Sequence, residues 1–155
     1  LSDRIVVLDH GKVQQIAPPQ DAYLRPSNRF VADFLGTANV FEGRVGADGR
    51  SIAVDGGIVI PCGASGRAAG AQVTAILRPE RLILAPAGAG GTLPATITES
   101  VYLGQSVRYH VETPAGPMIA VAPGGSEGFA PGTSVSATWQ PADVWIVADG
   151  AAPPA

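Results

Sequence analysis

Arg78 and Glu80 flank Pro79. A proline fixes φ and lacks an N–H, so it halts a strand and turns the chain. The two charges beside it can pair with each other, make polar contacts across an interface, or hold an anionic or polyol effector. Tyr102 precedes Leu103 and Gly104. The glycine permits a bend and close backbone approach, and the ring can pack in a hairpin or stack on a ligand. Trp139 and Trp145 stand on either side of Pro141, suited to a core or to an interface. Arg78, Glu80, Tyr102, Gly104, Trp139 and Trp145 are therefore the candidate regulatory or interface residues.

Other chemistry finds little support. His10 and His110 are far apart, and Cys62 is the one cysteine. No spacing typical of a zinc site joins them, and no nucleophile-elbow pattern marks a serine. The one lysine, Lys12, sits in a turn-like stretch, and no Gly-x-x-x-x-Gly-Lys-Ser/Thr loop is present. Such a loop supplies the backbone nest, ammonium and hydroxyl that hold ATP phosphates and Mg²⁺. No catalytic, cofactor or metal site is expected within these residues.

The elements that must position the candidates are short. Gly and Pro number 20 and 14 in 155 residues, which suits many strands and tight turns. The net charge of −3, with scattered Arg, lacks the basic face of a nucleic-acid binder. A single cysteine excludes an intrachain disulfide. No stretch reaches the roughly eighteen apolar residues of a spanning helix. The start at Leu1, inside a strand-like run and without a signal pattern, suggests a piece of a longer chain.

Residues Arg4 to Leu8 and Lys12 to Ile16 predict a hairpin turning at Asp9-His10-Gly11. Gln20 to Leu24 predicts a short helix. A second helix, capped by Ser27 or Asn28 and ending at Gly36, carries a predicted stripe of Phe30, Val31, Phe34 and Leu35. Beyond Gly36 the pattern alternates. Strands are predicted at 40–45, 51–54, 58–60, 72–77 and 81–85, then at 95–103, 106–112, 118–122, 134–139 and 144–148. Residues 87–91 read as a linker and 149–155 as a frayed tail.

An offset of sixty-two residues aligns Ile60-Pro61 with Ala122-Pro123 and Gly70 with Gly132. It also aligns Val73 to Ala75 with Val135 to Ala137, Pro79 with Pro141, and Leu82 to Leu84 with Val144 to Ile146. Two similar units, each too small to bury much surface alone, should share a core. The expected fold is mainly β: OB-type barrel units, intertwined or tandem, behind a short hairpin and helical segment. An immunoglobulin-like sandwich is disfavoured by the missing Cys/Trp/Cys pattern.

Leu1 to Ile5, Gly11-Lys12, Pro19 to Tyr23 and Asn28 to Gly36 together resemble the end of the ATPase domain of bacterial ABC importers. Arg78-Pro79-Glu80 and Tyr102-Leu103-Gly104 resemble motifs of the TOBE (transport-associated OB) region that follows it, and Trp139 to Asp143 a looser terminal motif. The resemblance implies that 1–36 end the ATP-binding domain and 37–149 form a regulatory domain, with units near 40–86 and 93–148 and a tail at 150–155. It implies a regulatory and dimerisation region of a subunit that couples ATP hydrolysis to solute uptake. The intact subunit would use ATP and Mg²⁺ at the cytoplasmic face of the inner membrane and meet membrane subunits through its ATPase domain. These residues alone lack the hydrolytic motifs and should be inactive. The alternative is a small-ligand module for an oxyanion or solute effector. A nucleic-acid-binding OB protein is the least favoured, and no nucleic acid is expected as a partner.

Overall fold

The computed structural model describes residues 3–88, 92–125 and 128–147. Part of the predicted linker (89–91), residue 148 of the last predicted strand, and the predicted tail lie outside the described residues.

The hairpin forms from β1 (Ile5–Asp9) and β2 (Lys12–Ala17). His10 and Gly11 make its turn with φ of 51° and 78°. Two positive angles match the right-handed strand twist in the tightest hairpin loops. Val6 pairs with Ile16 and Leu8 with Val13. All four are more than half exposed, so one hairpin face is apolar and uncovered.

Helix α1 (Pro19–Leu24) begins on a proline, whose missing N–H costs nothing at a first helical position. In α2 (Arg29–Leu35), Asn28 Oδ1 accepts the Val31 N–H at 3.0 Å, the predicted cap. Of the predicted stripe only Val31 is buried, with Phe30 and Leu35 half-buried. Val31 and Ala32 are buried, while Phe34 is 65% exposed and stacks on Phe30 at 5.9 Å between ring centroids. A helix this short meets the sheet along one edge, and the i,i+4 phenyl pair packs on itself instead.

Ten strands follow. They are β3 (Asn39–Val45), β4 (Ser51–Val54), β5 (Ile58–Pro61), β6 (Gln72–Leu77), β7 (Ile83–Pro86), β8 (Leu93–Tyr102), β9 (Ser106–Thr113), β10 (Gly116–Pro123), β11 (Ser134–Thr138) and β12 (Trp145–Val147). The protein is mainly β, with a small helical segment, as expected. One antiparallel sheet has the order β12-β6-β3-β4-β5 and the other β10-β9-β8-β11-β7. A shift of sixty-two residues carries β6 onto β11 and β7 onto β12.

Each half lends a strand to the other. β7 pairs with β11 of the second sheet, and β12 pairs with β6 of the first. The cause is local. Pro79 and Pro141 end the preceding strands and open 3₁₀ turns, Pro79–Arg81 and Pro141–Asp143. Each turn closes with matching bonds: Leu82 N to Pro79 O (3.2 Å) and Val144 N to Pro141 O (3.1 Å). The redirected chain enters the opposite sheet.

The halves share one core, as two small units must. Phe41, Ile52, Ile60 and Leu77 join Ile97, Val111, Val135 and Trp139 in a continuous buried cluster. Each such side chain contributes about 1.5–3 kcal/mol by leaving water. A polar latch also crosses between the sheets. The Asn39 amide donates to Ile119 O (2.9 Å) and accepts from Ile119 N (2.7 Å), satisfying the outer edge of β10. Pro117 and Pro123 occupy the same outward-facing parity on that edge and offer no N–H to a further strand.

Candidate functional site

Arg78 sits where β6 ends, and Pro79 aims the chain away, which turns its side chain toward the helices. The guanidinium is 1% exposed. Its Nε donates to Tyr23 O at 2.9 Å, and its Nη1 to Gly36 O and Thr37 O, each at 3.1 Å. Tyr23 is near the end of α1 and Gly36 follows α2. Helix ends leave carbonyls without intrahelical partners and carry partial negative charge. One buried cation therefore closes the ends of both helices. Its carbon Cζ also lies 4.2 Å from the Tyr23 ring centroid, a cation–π distance. Nη2 is buried without a protein partner. Burial pulls the Arg78 pKa below its ordinary value, opposed by Tyr23, Glu80 and Asp33.

Glu80 does not take Arg78. Its Oε1 accepts the Tyr23 hydroxyl at 2.5 Å. The Tyr23 phenol is pushed up to about 12, first by burial and then by the Glu80 bond and charge, while Arg78 and Arg81 pull the other way. Arg78 and Glu80 thus grip Tyr23 at both ends, through its backbone and its hydroxyl.

The two tryptophans part company. Trp139 is 5% exposed, stacks on Phe41 at 6.3 Å between centroids, and donates Nε1 to Pro61 O at 3.0 Å. Trp145 donates Nε1 to Pro26 O at 2.9 Å and packs beside a second cluster of Ala32, Ile76 and Val147. It joins Arg78 and Glu80 at the junction between the helical segment and the sheets. The junction continues outward to the hairpin. Ser27 Oγ donates to Gln14 O (2.8 Å), Ser27 N to Gln15 Oε1 (2.8 Å), and Asn28 Nδ2 to Gln14 Oε1 (2.9 Å).

Tyr102 and Gly104 lie at the β8–β9 turn. Tyr102 is 69% exposed. Gly104 has φ 85°, and the turn closes through Leu103 N to Ser106 O at 2.8 Å. Positive φ at the first central position is what a tight hairpin asks of glycine. Neither residue is among the partners of Arg78, Glu80 or Trp145 described above.

Tyr23, Pro26 and Asn39 are contact partners that residue chemistry did not single out. A backbone carbonyl carries no sequence signal, and an Asn at a strand start reads as a turn residue. Among the described residues, no group of three His, Cys, Asp or Glu side chains converges as metal ligands. None of the helices there is long and apolar enough to cross a membrane.

The TOBE domain family matches residues 75–147. The chain is 44% identical over 125 residues to the spermidine/putrescine import ATP-binding protein PotA 1 of Pseudomonas aeruginosa, covering 78% of this chain and 34% of that protein. It is 39% identical over 148 residues to the corresponding PotA of Rubrobacter xylanophilus, covering 90% and 39%. It is 33% identical over 150 residues to the Fe(3+) ions import ATP-binding protein FbpC 1 of Rhizobium meliloti, covering 95% and 42%. The chain thus spans between a third and a little over two fifths of the length of these relatives. In fold it resembles the cytoplasmic molybdate-binding protein ModG, an OB-type structure solved with molybdate bound. The TM-score is 0.60 at 18% identity, over 70% of this chain and 94% of that one. The strand-exchanged sheets and the junction on Arg78 thus belong to a chain whose residues 75–147 match the TOBE domain family and which aligns with the C-terminal region of the ATP-binding subunits of bacterial ABC importers.

Proposed function

We propose that these residues form the regulatory and self-associating region of an importer's ATP-binding subunit. The observation that carries this reading is the Arg78 clamp. It binds the helical segment, which resembles the end of an ATPase domain, to the TOBE sheets through three carbonyls. A movement of that segment then reaches the sheets without slack. In the intact subunit, paired TOBE regions would tether the ATPase halves and keep their effective concentration high during opening and closing. The subunit would work at the cytoplasmic face of the inner membrane with membrane subunits. ATP and Mg²⁺ would be held by its ATPase domain, since no phosphate-binding loop exists in this sequence.

The test uses the full-length subunit with its membrane partners. Arg78→Met should leave ATP affinity unchanged while lowering transport per ATP hydrolysed. Unchanged coupling in a folded variant would defeat the reading. Sedimentation of the full-length subunit tests self-association: a strict monomer at every concentration would remove that part.

A second reading is a small-solute sensor. An apolar cleft of about 470 Å³ beside Glu80 favours it. A solute there would shift ATPase states only by binding one of them better.

A further inference from the structure

The sixty-two-residue pseudosymmetry makes two equivalent seams. One lies between β12 and the 62–67 loop that follows β5, the other where β10 faces β7. They have diverged. The first, about 410 Å³, is lined by Ala142, Val144, Trp145 and Ile146 and is bordered by Pro26 and Ser27 of the helical segment. The Trp145–Pro26 bond fastens that border. At the four matching positions the second seam carries Glu80, Leu82, Ile83 and Leu84, and no residue of the helical segment lines it. Ile83, at the tryptophan's position, is 53% exposed.

The walls of this second seam are apolar, including Leu84, Pro86, Ala122 and Phe129. Its rim charge is the Glu80 carboxylate, at the position where the twin seam has Ala142. A carboxylate accepts about four hydrogen bonds, and the Tyr23 hydroxyl supplies one. The neighbouring cations are directed elsewhere: Arg78 onto carbonyls and Arg81 onto Asp143. An anion would meet repulsion at this rim. A peptide strand would meet a β10 edge whose Ile119 already bonds Asn39 and whose Pro123 has no N–H.

We propose that the β7–β10 cleft binds a small organic monoammonium ion, its apolar body between Leu84 and Phe129 and its charged nitrogen on Glu80. The volume lies within the range of small-molecule sites, which pair apolar walls with a few polar anchors. A polyamine fits this chemistry less well, because its several ammonium groups would have to lie along apolar walls with one carboxylate between them. The proposal deepens the solute-sensor reading and rests on it only for consequence: a ligand on Glu80 would compete for or reinforce its bond to Tyr23, and so address the junction.

The experiment is a titration of the chain followed by NMR at Ala120, Ala122 and Phe129. The probes are 2-phenylethylammonium, the neutral 2-phenylethanol, and spermidine. The expected result is saturable shifts with the ammonium in the millimolar range or tighter. The alcohol and the Glu80→Gln variant should each bind about tenfold more weakly, the loss of a charged hydrogen bond. Ile83→Trp, which installs the twin seam's side chain, should block binding without lowering the melting temperature. Equal binding of alcohol and ammonium, tighter binding of spermidine, or no shift at these residues would overturn the site. This readout is independent of transport coupling and self-association, so its failure would leave the clamp reading standing.

Discussion

Arg81 Nη1 lies 3.7 Å from Asp143 Oδ1, and the two residues occupy the same position in the two halves of the chain. An internal dyad thus brings equivalent positions face to face and gives them opposite charge. Both side chains are partly solvated, so the pair is worth about 1 kcal/mol or less. A double-mutant cycle on Arg81→Ala and Asp143→Ala should return a coupling of that size. The exchanged pair Arg81→Asp with Asp143→Arg should regain what either change alone loses. Chemical denaturation measures both. A coupling that survives high salt undiminished would contradict a solvated ion pair.

Arg78→Ala would leave three carbonyls at the helix ends without their donor. Hydrogen bonds to a charged group are worth about 1.5–3 kcal/mol each, though the losses are not additive. A destabilisation of about 3 kcal/mol is expected in urea unfolding, with faster proteolytic cleavage between 17 and 40. Arg78→Lys should rescue little, because a compact ammonium cannot span both helix ends as the planar fork does. Lysine restoring full stability would show that charge alone suffices.

The Tyr23 phenol sits at about 12 in the folded chain against 10.0 for the free group. Its folded-state pKa is raised, so the associated stability is complete below pH 10 and drains away as pH climbs from 10 through 12. Partial exposure reduces the size of this effect. Tyr23→Phe should flatten stability over that window while lowering it at neutral pH through loss of the Glu80 bond. Unfolding midpoints compared between pH 9 and 12 check it. An identical alkaline decline in both proteins would assign the loss to other groups.

Val6, Leu8, Val13 and Ile16 form an uncovered apolar face on the hairpin. Exposed apolar patches of this kind promote association. Val13→Lys with Ile16→Lys should reduce concentration-dependent self-association of this chain and leave its melting temperature nearly unchanged. Light scattering at several concentrations tests this. If scattering stays the same, the hairpin face contributes nothing to association.

Gly104→Ala should cost about 1 kcal/mol, since alanine resists the φ of 85° there. Gly104→Asn should recover part of it, because asparagine visits the left-handed region more readily. Thermal unfolding reads both. An alanine variant as stable as the parent would mean that the turn adopts another geometry at no cost.

Much of this arrangement was legible in the residues. Period-two patterns located the strands, and Asn28 marked a helix start because capping is decided within three residues. The offset repeat foretold a shared core. Which sheet β7 and β12 join was not legible. Their residues alternate similarly, so the choice depends on where Pro79 and Pro141 aim the chain in three dimensions. Arg78 and Glu80 were legible as a polar pair beside a turn, yet their partners are carbonyls and a phenol distant in sequence. Phe34 misled because an apolar residue at core spacing can also spend its surface on a neighbour four residues away.

The strand trade between β7 and β12 bears on inheritance. A hybrid joining one half of this chain to the other half of a relative would carry a strand cut for a sheet that is no longer present. Substitutions along either borrowed strand must suit a host built from the other half of these residues. The two halves are therefore expected to drift as one lineage, exchanged whole or not at all.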